Sequence, residues 1–246
     1  MNEILTDTSE QILSIRLNRP AKMNALTRDM YAKLASTLND AAGDFGIRAV
    51  ILASEGDHFC AGNDIGEFIS NPPTQSDSEV AKFLEALLNF PKPLLAAVKG
   101  NAVGVGTTML LHCDVIIASA TAKFSMPFTS LGLVPEAGSS YLFPRLVGYQ
   151  RAAQVFMTGE SFGAVSAKEM GLVAHIEKDP IAAATAIAKQ IAKQPPQAII
   201  NTKALLKSGS HDAVAAVMHV EFELFSMALQ SEEAMDAFMK FKAKKE

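Results

Sequence analysis

The chain has 246 residues, of which 49% are hydrophobic, and a formal net charge of −4 at pH 7. This hydrophobic content is ample for a large buried core, and the acidic balance argues against a general nucleic-acid-binding protein. The longest apolar run, residues 102–111, is about half as long as a membrane span needs. The chain starts without the basic and apolar regions of a secretory signal, and its two cysteines form no disulfide framework. We therefore expect a cytoplasmic protein that binds neither nucleic acid nor membrane.

The first half of the chain alternates predicted strands and helices. Alternating apolar residues predict a strand over residues 11–18, and Thr27 is placed as the N-cap of a helix that runs to about residue 42. The same alternation continues with strands over 49–53, 94–98 and 114–118, and with helices over 79–89 and 105–111.

From Gln150 onward the pattern is largely helical. Helices are predicted over 181–193 and 198–207, with Pro195 and Pro196 between them, and two more over 211–242. This order predicts an α/β core over residues 1–195, followed by a helical C-terminal region over residues 196–246.

Two turns rich in small residues are candidates for binding an oxyanion. We name residues 59–65 the first small-residue turn and residues 100–106 the second. A carbonyl oxygen that gains negative charge needs donors already in place, and glycines let the backbone come close. We expect the donors to be the N–H groups of Asn63 and Val105, the latter at a helix start. For either turn alone, a purely structural strand–helix connection is the alternative, and a dinucleotide site is disfavoured because the third glycine is missing.

Glu136 follows a proline and precedes a small-residue segment, which predicts a position at a helix start. A carboxylate beside two oxyanion donors can move a proton in enolate chemistry without metal or redox cofactor. The alternative is a first-turn residue that only stabilises the helix end. We expect Ser139 and Ser140 to be capping residues. The five histidines show no metal-ligand spacing, so we expect no metal site.

Together these motifs resemble those of the crotonase family, the enoyl-CoA hydratases and isomerases. The resemblance covers nearly the whole chain and is carried by residues 18–26, the two small-residue turns, Cys113-Asp114, Gly159 and residues 171–173. It implies a spiral core of repeated ββα units and C-terminal helices that build a homotrimer or a dimer of trimers. It also implies acyl-CoA thioester substrates, with CoA as part of the substrate and no separate cofactor.

The resemblance further implies which residues meet the substrate. The thioester carbonyl would lie between the N–H groups of Asn63 and Val105. Lys22 and Ala25 match positions that contact the adenosine and phosphate portions of CoA. Phe238 and the lysines at 240, 242, 244 and 245 match a C-terminal segment that often reaches CoA, sometimes from an adjacent subunit. The full set of implied substrate contacts is Lys22, Ala25, Ala61, Gly62, Asp64, Ile65, Gly104, Thr108, Phe128 and Phe238.

Two departures from the family pattern bear on the chemistry. Hydratases of this family carry two glutamates, and the matching positions here hold Thr108 and Phe128, which cannot act as carboxylate bases. Residues 128–140 instead resemble the Δ3,Δ2-enoyl-CoA isomerase subgroup of the peroxisomal type, in which the glutamate of this segment is the base. The resemblance therefore implies that Glu136 moves a proton from C2 to C4 of a 3-enoyl-CoA, while the two N–H groups hold the dienolate.

Three alternatives remain open from the sequence. The first is an enoyl-CoA hydratase that uses Glu136 and an unpaired water molecule. The second is a catalytically silent acyl-CoA-binding protein, which the missing glutamates permit. The third is another reaction of the same family, such as thioester hydrolysis or dehalogenation, for which the chain shows no dedicated nucleophile.

Overall fold

The structure, a computed structural model, describes residues 2–70, 72, 73, 75 and 77–243, with the backbone alone for residues 241–243. The strands of the described residues are β1 (Ile4–Ser9), β2 (Ile12–Leu17), β3 (Ala49–Ser54), β4 (Leu94–Val98), β5 (Asn101–Val103), β6 (Val115–Ala118), β7 (Lys123–Ser125), β8 (Phe162–Gly163) and β9 (His175–Ile176). The α-helices there are α1 (Arg28–Gly43), α2 (Ile65–Ser70), α3 (Glu79–Asn89), α4 (Val105–Thr108), α5 (Ser139–Val147), α6 (Tyr149–Thr158), α7 (Ala164–Glu169), α8 (Pro180–Ala192), α9 (Pro196–Ser208), α10 (His211–Leu229) and α11 (Glu232–Ala243).

The larger sheet joins its strands in the order β1-β2-β3-β4-β6-β9, and only the β1–β2 pair is antiparallel. Strands β3 and β4 are buried along their whole length. Their continuous apolar runs are typical of parallel strands that are covered on both faces. On one face, Ala184 and Ala188 of α8 belong to a small apolar cluster with Ile51 and Leu95. The main core lies on the other face.

The smaller sheet has the order β5-β7-β8, with β5 and β7 parallel. The second small-residue turn contains β5 and leads into α4. A short 3-10 helix, Met109–His112, directly continues α4. The sequence prediction of one α-helix over 105–111 is therefore correct in position, but its second half is wound more tightly.

The helices and strands predicted from sequence are otherwise confirmed with small shifts at their ends. Thr27 is the N-cap of α1, and its side chain accepts a hydrogen bond from Met30 N–H. The bounds of α3 and β4 agree with the prediction residue for residue. The strands without a prediction are the edge strand β1 and the very short strands β5, β7, β8 and β9, and the six-residue helix α2 was not predicted either. Helices α6 and α7 lie in the segment predicted to be largely helical, but no bounds were predicted for them.

The helices after residue 195 pack back against the core. Helix α10 lies against α5, and α11 lies against a 3-10 turn at Thr129–Leu131. The C-terminal region thus covers the segment that contains Glu136. The domain division between residues 195 and 196 stays a prediction.

Within the described residues, no helix is both long enough and apolar enough to span a membrane.

Candidate active site

The two small-residue turns contact each other through their backbones. Cys60 N–H donates to the carbonyl of Asn101 at 3.0 Å, and Val103 N–H donates to the carbonyl of Cys60 at 2.9 Å. Gly106 permits this approach, because a Cβ there would lie 2.6 Å from the Cys60 carbonyl oxygen. Small residues are therefore needed at this contact for a steric reason.

Neither Asn63 nor Val105 donates its N–H to a backbone acceptor among the described residues. Asn63 forms a parallel bridge with Leu26. The two hydrogen bonds of this bridge run from Leu26 N–H to the Gly62 carbonyl and from Asp64 N–H to the Leu26 carbonyl. The N–H of Asn63 therefore points away from Leu26. Val105 is the first residue of α4, and the first N–H groups of a helix have no partner within it. Both groups are therefore available to a bound oxyanion.

A cavity of about 1240 Å³ lies over the small-residue turns. Helix α11 contributes Glu233, Asp236 and Lys240 to its wall, and the two acidic residues were not foreseen from sequence. The side chain of Lys242 is not described, and Lys244 and Lys245 lie outside the described residues. All but two of the residues predicted for the site line the cavity: Lys22, Ala25, Ala61, Gly62, Asn63, Asp64, Ile65, Gly104, Val105, Phe128 and Phe238.

The two predicted residues that are not in the cavity wall are Thr108 and Glu136. Thr108 is fully buried, and its hydroxyl donates a hydrogen bond to Oε1 of Glu136, whose residue is 9% exposed. The pKa of Glu136 is raised to about 8, chiefly by burial. The hydrogen bond from Thr108 lowers this pKa, and the negative charge of Glu221 raises it; both effects are included in the value of about 8. A carboxyl group with this pKa can take up and return a proton near neutral pH.

Glu136 is not a helix-start residue, so that sequence prediction is wrong. Helix α5 begins at Ser139, with Gly138 as its N-cap, and both Ala137 and Gly138 have positive φ. We name residues 136–138 the Glu136 turn. Because this turn separates Glu136 from the helix, the alternative of a first-turn helix residue is also wrong.

The N-terminus of α5 is satisfied by Glu221 of α10, a residue that sequence reasoning missed. Its carboxylate accepts hydrogen bonds from Gly138 N–H at 2.6 Å and from Ser140 N–H at 2.9 Å. The predicted capping role of Ser139 and Ser140 is wrong, since no side chain of this segment caps α5. The hydroxyl of Ser139 is buried without a hydrogen-bond partner among the described residues.

His112 contacts the Glu136 turn from another direction. Its ring Nε2 donates a hydrogen bond to the carbonyl of Ala137 at 2.8 Å, and the side chain is buried. Burial lowers the pKa of His112 to about 4, so the ring is neutral at physiological pH. His112 is therefore a neutral hydrogen-bond donor that holds the backbone of this turn.

Tyr31 and Arg19 hold side chains of the first small-residue turn. The buried hydroxyl of Tyr31 donates to Oδ1 of Asn63 at 2.5 Å, and Arg19 pairs with Asp64 at 2.7 Å. Burial opposes ionisation of Asp64, but hydrogen bonds and the charge of Arg19 lower its pKa on balance. Sequence reasoning missed Tyr31 because it lies within the apolar face of α1 and forms no motif.

Among the described residues, no three His, Cys, Asp or Glu side chains cluster as metal ligands would. The expectation of chemistry without metal or separate cofactor stays a prediction.

Comparison with known proteins places the chain in a family. The family model described as enoyl-CoA hydratase/isomerase matches residues 7–246. The chain is 33% identical to enoyl-CoA delta isomerase 2 of Rattus norvegicus, over 98% of this chain and 64% of that protein. It is 31% identical to 2,3-dehydroadipyl-CoA hydratase of Escherichia coli, over 100% of this chain and 97% of that protein.

The fold gives the same assignment. The structure of OdaA from Pseudomonas aeruginosa superimposes with a TM-score of 0.95 at 40% identity, over 98% of this chain and 99% of that one. This agrees with the α/β fold expected for the resemblance. From the motifs, the fold and a family match over almost its whole length, the chain belongs to the enoyl-CoA hydratase/isomerase family, the crotonases.

Proposed function

We propose that this protein is a Δ3,Δ2-enoyl-CoA isomerase, which moves a double bond of an acyl-CoA from C3 to C2. The observation that carries the proposal is the buried carboxyl group of Glu136, which has a pKa of about 8 and is hydrogen-bonded to Thr108. The resemblance to the family implies that Thr108 and Phe128 match the positions where hydratases carry glutamates. We therefore assign the proton transfer to Glu136, the carboxyl group that burial keeps near neutral pKa.

The reaction requires no net gain or loss of atoms. Ionised Glu136 takes a proton from C2 of the 3-enoyl-CoA, and the electron pair of that C–H bond passes into the conjugated dienolate. The N–H groups of Asn63 and Val105 donate to the thioester oxygen as it becomes negative. Glu136 then returns the proton to C4, which leaves the double bond between C2 and C3. The proposal requires C2 and C4 to lie within hydrogen-bond reach of the carboxyl group.

Hydration is the second candidate, because the relatives include hydratases as well as isomerases. Hydration requires a base that activates water and an acid that protonates carbon. Phe128 is buried in the cavity wall and offers an apolar ring where a second carboxylate would be needed. The isomerase proposal is supported by this absence of a second carboxylate at Thr108 and Phe128.

The proposal assigns CoA binding to the cavity and assigns no metal or separate cofactor to the reaction. Lys22 and Lys240 in the cavity wall carry charge that suits the phosphates of CoA. The backbone of residues 61–65 is assigned to the same ligand.

We also propose that the protein assembles as a homotrimer or a dimer of trimers. Val220, Leu224 and Met227 share one face of α10 and are about half exposed or more. Met235 and Met239 of α11 add further exposed apolar surface. Sedimentation velocity tests the assembly, and a monomer at micromolar concentration would contradict it. The cytoplasmic location stays a prediction.

The test of the isomerase proposal is Glu136→Gln, assayed for isomerisation of a 3-enoyl-CoA and for hydration of a 2-enoyl-CoA. We expect the isomerisation kcat to fall by about 10²–10⁴-fold, the range for general acid–base catalysis. Glu85→Gln, on the exposed face of α3, is the matched control and should leave both rates unchanged.

Three results would overturn the proposal. Isomerisation that survives Glu136→Gln at the wild-type rate would show that Glu136 is not the base. A wild-type enzyme that hydrates faster than it isomerises is a hydratase. Tight binding of acyl-CoA without turnover of either substrate indicates a silent binding protein.

A further inference from the structure

Helix α10 packs directly against the Glu136 turn. Val214, Met218 and Glu221 are spaced four and three residues apart, so they share one face of the helix. A Cβ on Gly138 would lie 2.7 Å from Cγ1 of Val214 and 3.3 Å from Cγ of Met218. The residue two positions after Glu136 is therefore in close contact with the C-terminal helical region.

Glu221 is the polar residue of this face, and it is 5% exposed. Its Oε2 accepts from Gly138 N–H at 2.6 Å, and its Oε1 accepts from Ser140 N–H at 2.9 Å. Both donors belong to the N-terminus of α5, where negative charge is favourable and N–H groups lack helical partners. The Glu221 carboxylate therefore makes two charge-assisted hydrogen bonds to this backbone. The nearer of its two donors, Gly138, is two residues after Glu136.

The Glu136 turn has a backbone conformation that needs such support. Ala137 is a non-glycine residue with φ of +61°, in the left-handed region, and Gly138 follows with φ of +69°. Conformations of this kind persist where the surroundings fix them. Here His112 fixes the carbonyl of Ala137 and Glu221 fixes the N–H of Gly138.

We propose that Glu221 is a positioning residue for the reaction: from α10 it clamps the Glu136 turn and fixes the carboxyl group of Glu136 relative to the two oxyanion donors. The inference rests on the proposed role of Glu136 as the base. It gives a role in the active site to a residue of the region predicted to serve assembly.

Four elements bring titratable or hydrogen-bonding groups to Glu136 or its turn. Thr108 of α4 and Tyr31 of α1 are neutral, and His112 of the following 3-10 helix is neutral because burial lowers its pKa. Glu221 supplies negative charge, which raises the pKa of Glu136. Burial raises the pKa of Glu221 itself, against the lowering effect of its N–H donors. Loss of the Glu221 charge should therefore lower the pKa of Glu136.

The first test is Glu221→Gln, with kcat and KM for a 3-enoyl-CoA measured from pH 5 to pH 10. We expect kcat to fall by about 10- to 10²-fold, since small displacements of a catalytic group have effects of this size. We expect the inflection of kcat against pH to move to lower pH, with unchanged affinity for a saturated acyl-CoA. The matched control is Glu223→Gln on the same helix, where Glu223 is exposed and pairs with His219.

The second test is Glu221→Asp, which keeps the charge but shortens the reach by one methylene. We expect a lower kcat with the inflection near its wild-type pH, and this variant carries the test if Glu221→Gln does not fold. The inference is overturned if either variant keeps both the wild-type kcat per active site and the wild-type pH of the kcat inflection. Glu221 would then be only a structural cap, even if the variant has a lower melting temperature. If Glu136→Gln stays active, the proposed function has failed instead, so the two failures are distinguishable.

Discussion

The two small-residue turns and the Glu136 turn are built in different ways. The small-residue turns present backbone N–H groups, and their mutual contacts join the two glycine-containing motifs directly. The Glu136 turn is held by side chains from distant parts of the chain, and Glu221 lies 83 residues from Gly138. The exposed backbone N–H groups therefore follow from local motifs, whereas the position and pKa of Glu136 depend on tertiary contacts.

The largest effect on the small-residue turns is expected from Gly106→Ala. The added Cβ would lie 2.6 Å from the Cys60 carbonyl oxygen, so the two turns must move apart and the oxyanion donors lose their geometry. We expect kcat for isomerisation to fall by about 10²–10³-fold, as when an oxyanion donor is lost. Gly209→Ala is the control, because its Cβ would meet no atom within 4 Å. A wild-type rate in Gly106→Ala would show that this contact does not fix the donors.

The raised pKa of Glu136 should make the free energy of unfolding depend on pH. The pKa of Glu136 is about 8 in the folded protein, against 4.5 ordinarily, so the folded state binds the proton more tightly. The stabilisation by this proton is complete below about pH 4.5 and is lost as pH rises through 8. It amounts to at most about 5 kcal/mol, at about 1.4 kcal/mol per pKa unit.

Urea unfolding at pH 5 and pH 9 measures this effect. The free energy of unfolding should fall between these pH values in the wild type and in the Glu85→Gln control, and should fall much less in Glu136→Gln. An equal fall in all three proteins would contradict a raised pKa at Glu136.

A smaller effect is expected when Thr108→Val removes the hydrogen bond to Glu136. The Thr108 hydroxyl lowers the pKa of Glu136, so its loss should move the inflection of kcat to higher pH. A hydrogen bond of about 1.4 kcal/mol corresponds to one pKa unit, which predicts a roughly tenfold lower rate at pH 7. Thr202→Val on the exposed surface of α9 is the control. An inflection that moves to lower pH would contradict this account.

The smallest effect is expected from Tyr31→Phe, which removes the bond to the Asn63 side chain. The main chain of this turn remains tied to Leu26, so the donor N–H keeps its direction. We expect a loss of kcat of at most about fivefold, the size of one net hydrogen bond. The exposed Tyr149→Phe serves as the control. A loss as large as that in Gly106→Ala would mean that side-chain support fixes the first small-residue turn.

This difference between the regions explains what could be predicted from sequence. Strands β3 and β4 and helix α3 have strong apolar patterns of sufficient length, and the cavity residues near the two small-residue turns lie within motifs. Strands β5 and β7 have three residues each, too few for a period to be recognised. Tyr31, His112 and Glu221 are single residues within helical patterns, and their contacts exist only after the chain has folded. The helix-start prediction for Glu136 failed because Ala137 adopts a conformation that alanine rarely has.

Helix α10 has 19 residues and is about 28 Å long, and its two sides have different roles. On its inner side, Glu221 holds the Glu136 turn. On its outer side, the apolar side chains of Val220, Leu224 and Met227 are exposed. Because a helix moves as a rigid unit, a contact that shifts the outer face of α10 should also shift the face that carries Glu221. Because coupling of this kind is reciprocal, subunit association in the proposed assembly and proton uptake by Glu136 should each bias the other. Activity should then change on dilution into the range where the proposed assembly dissociates.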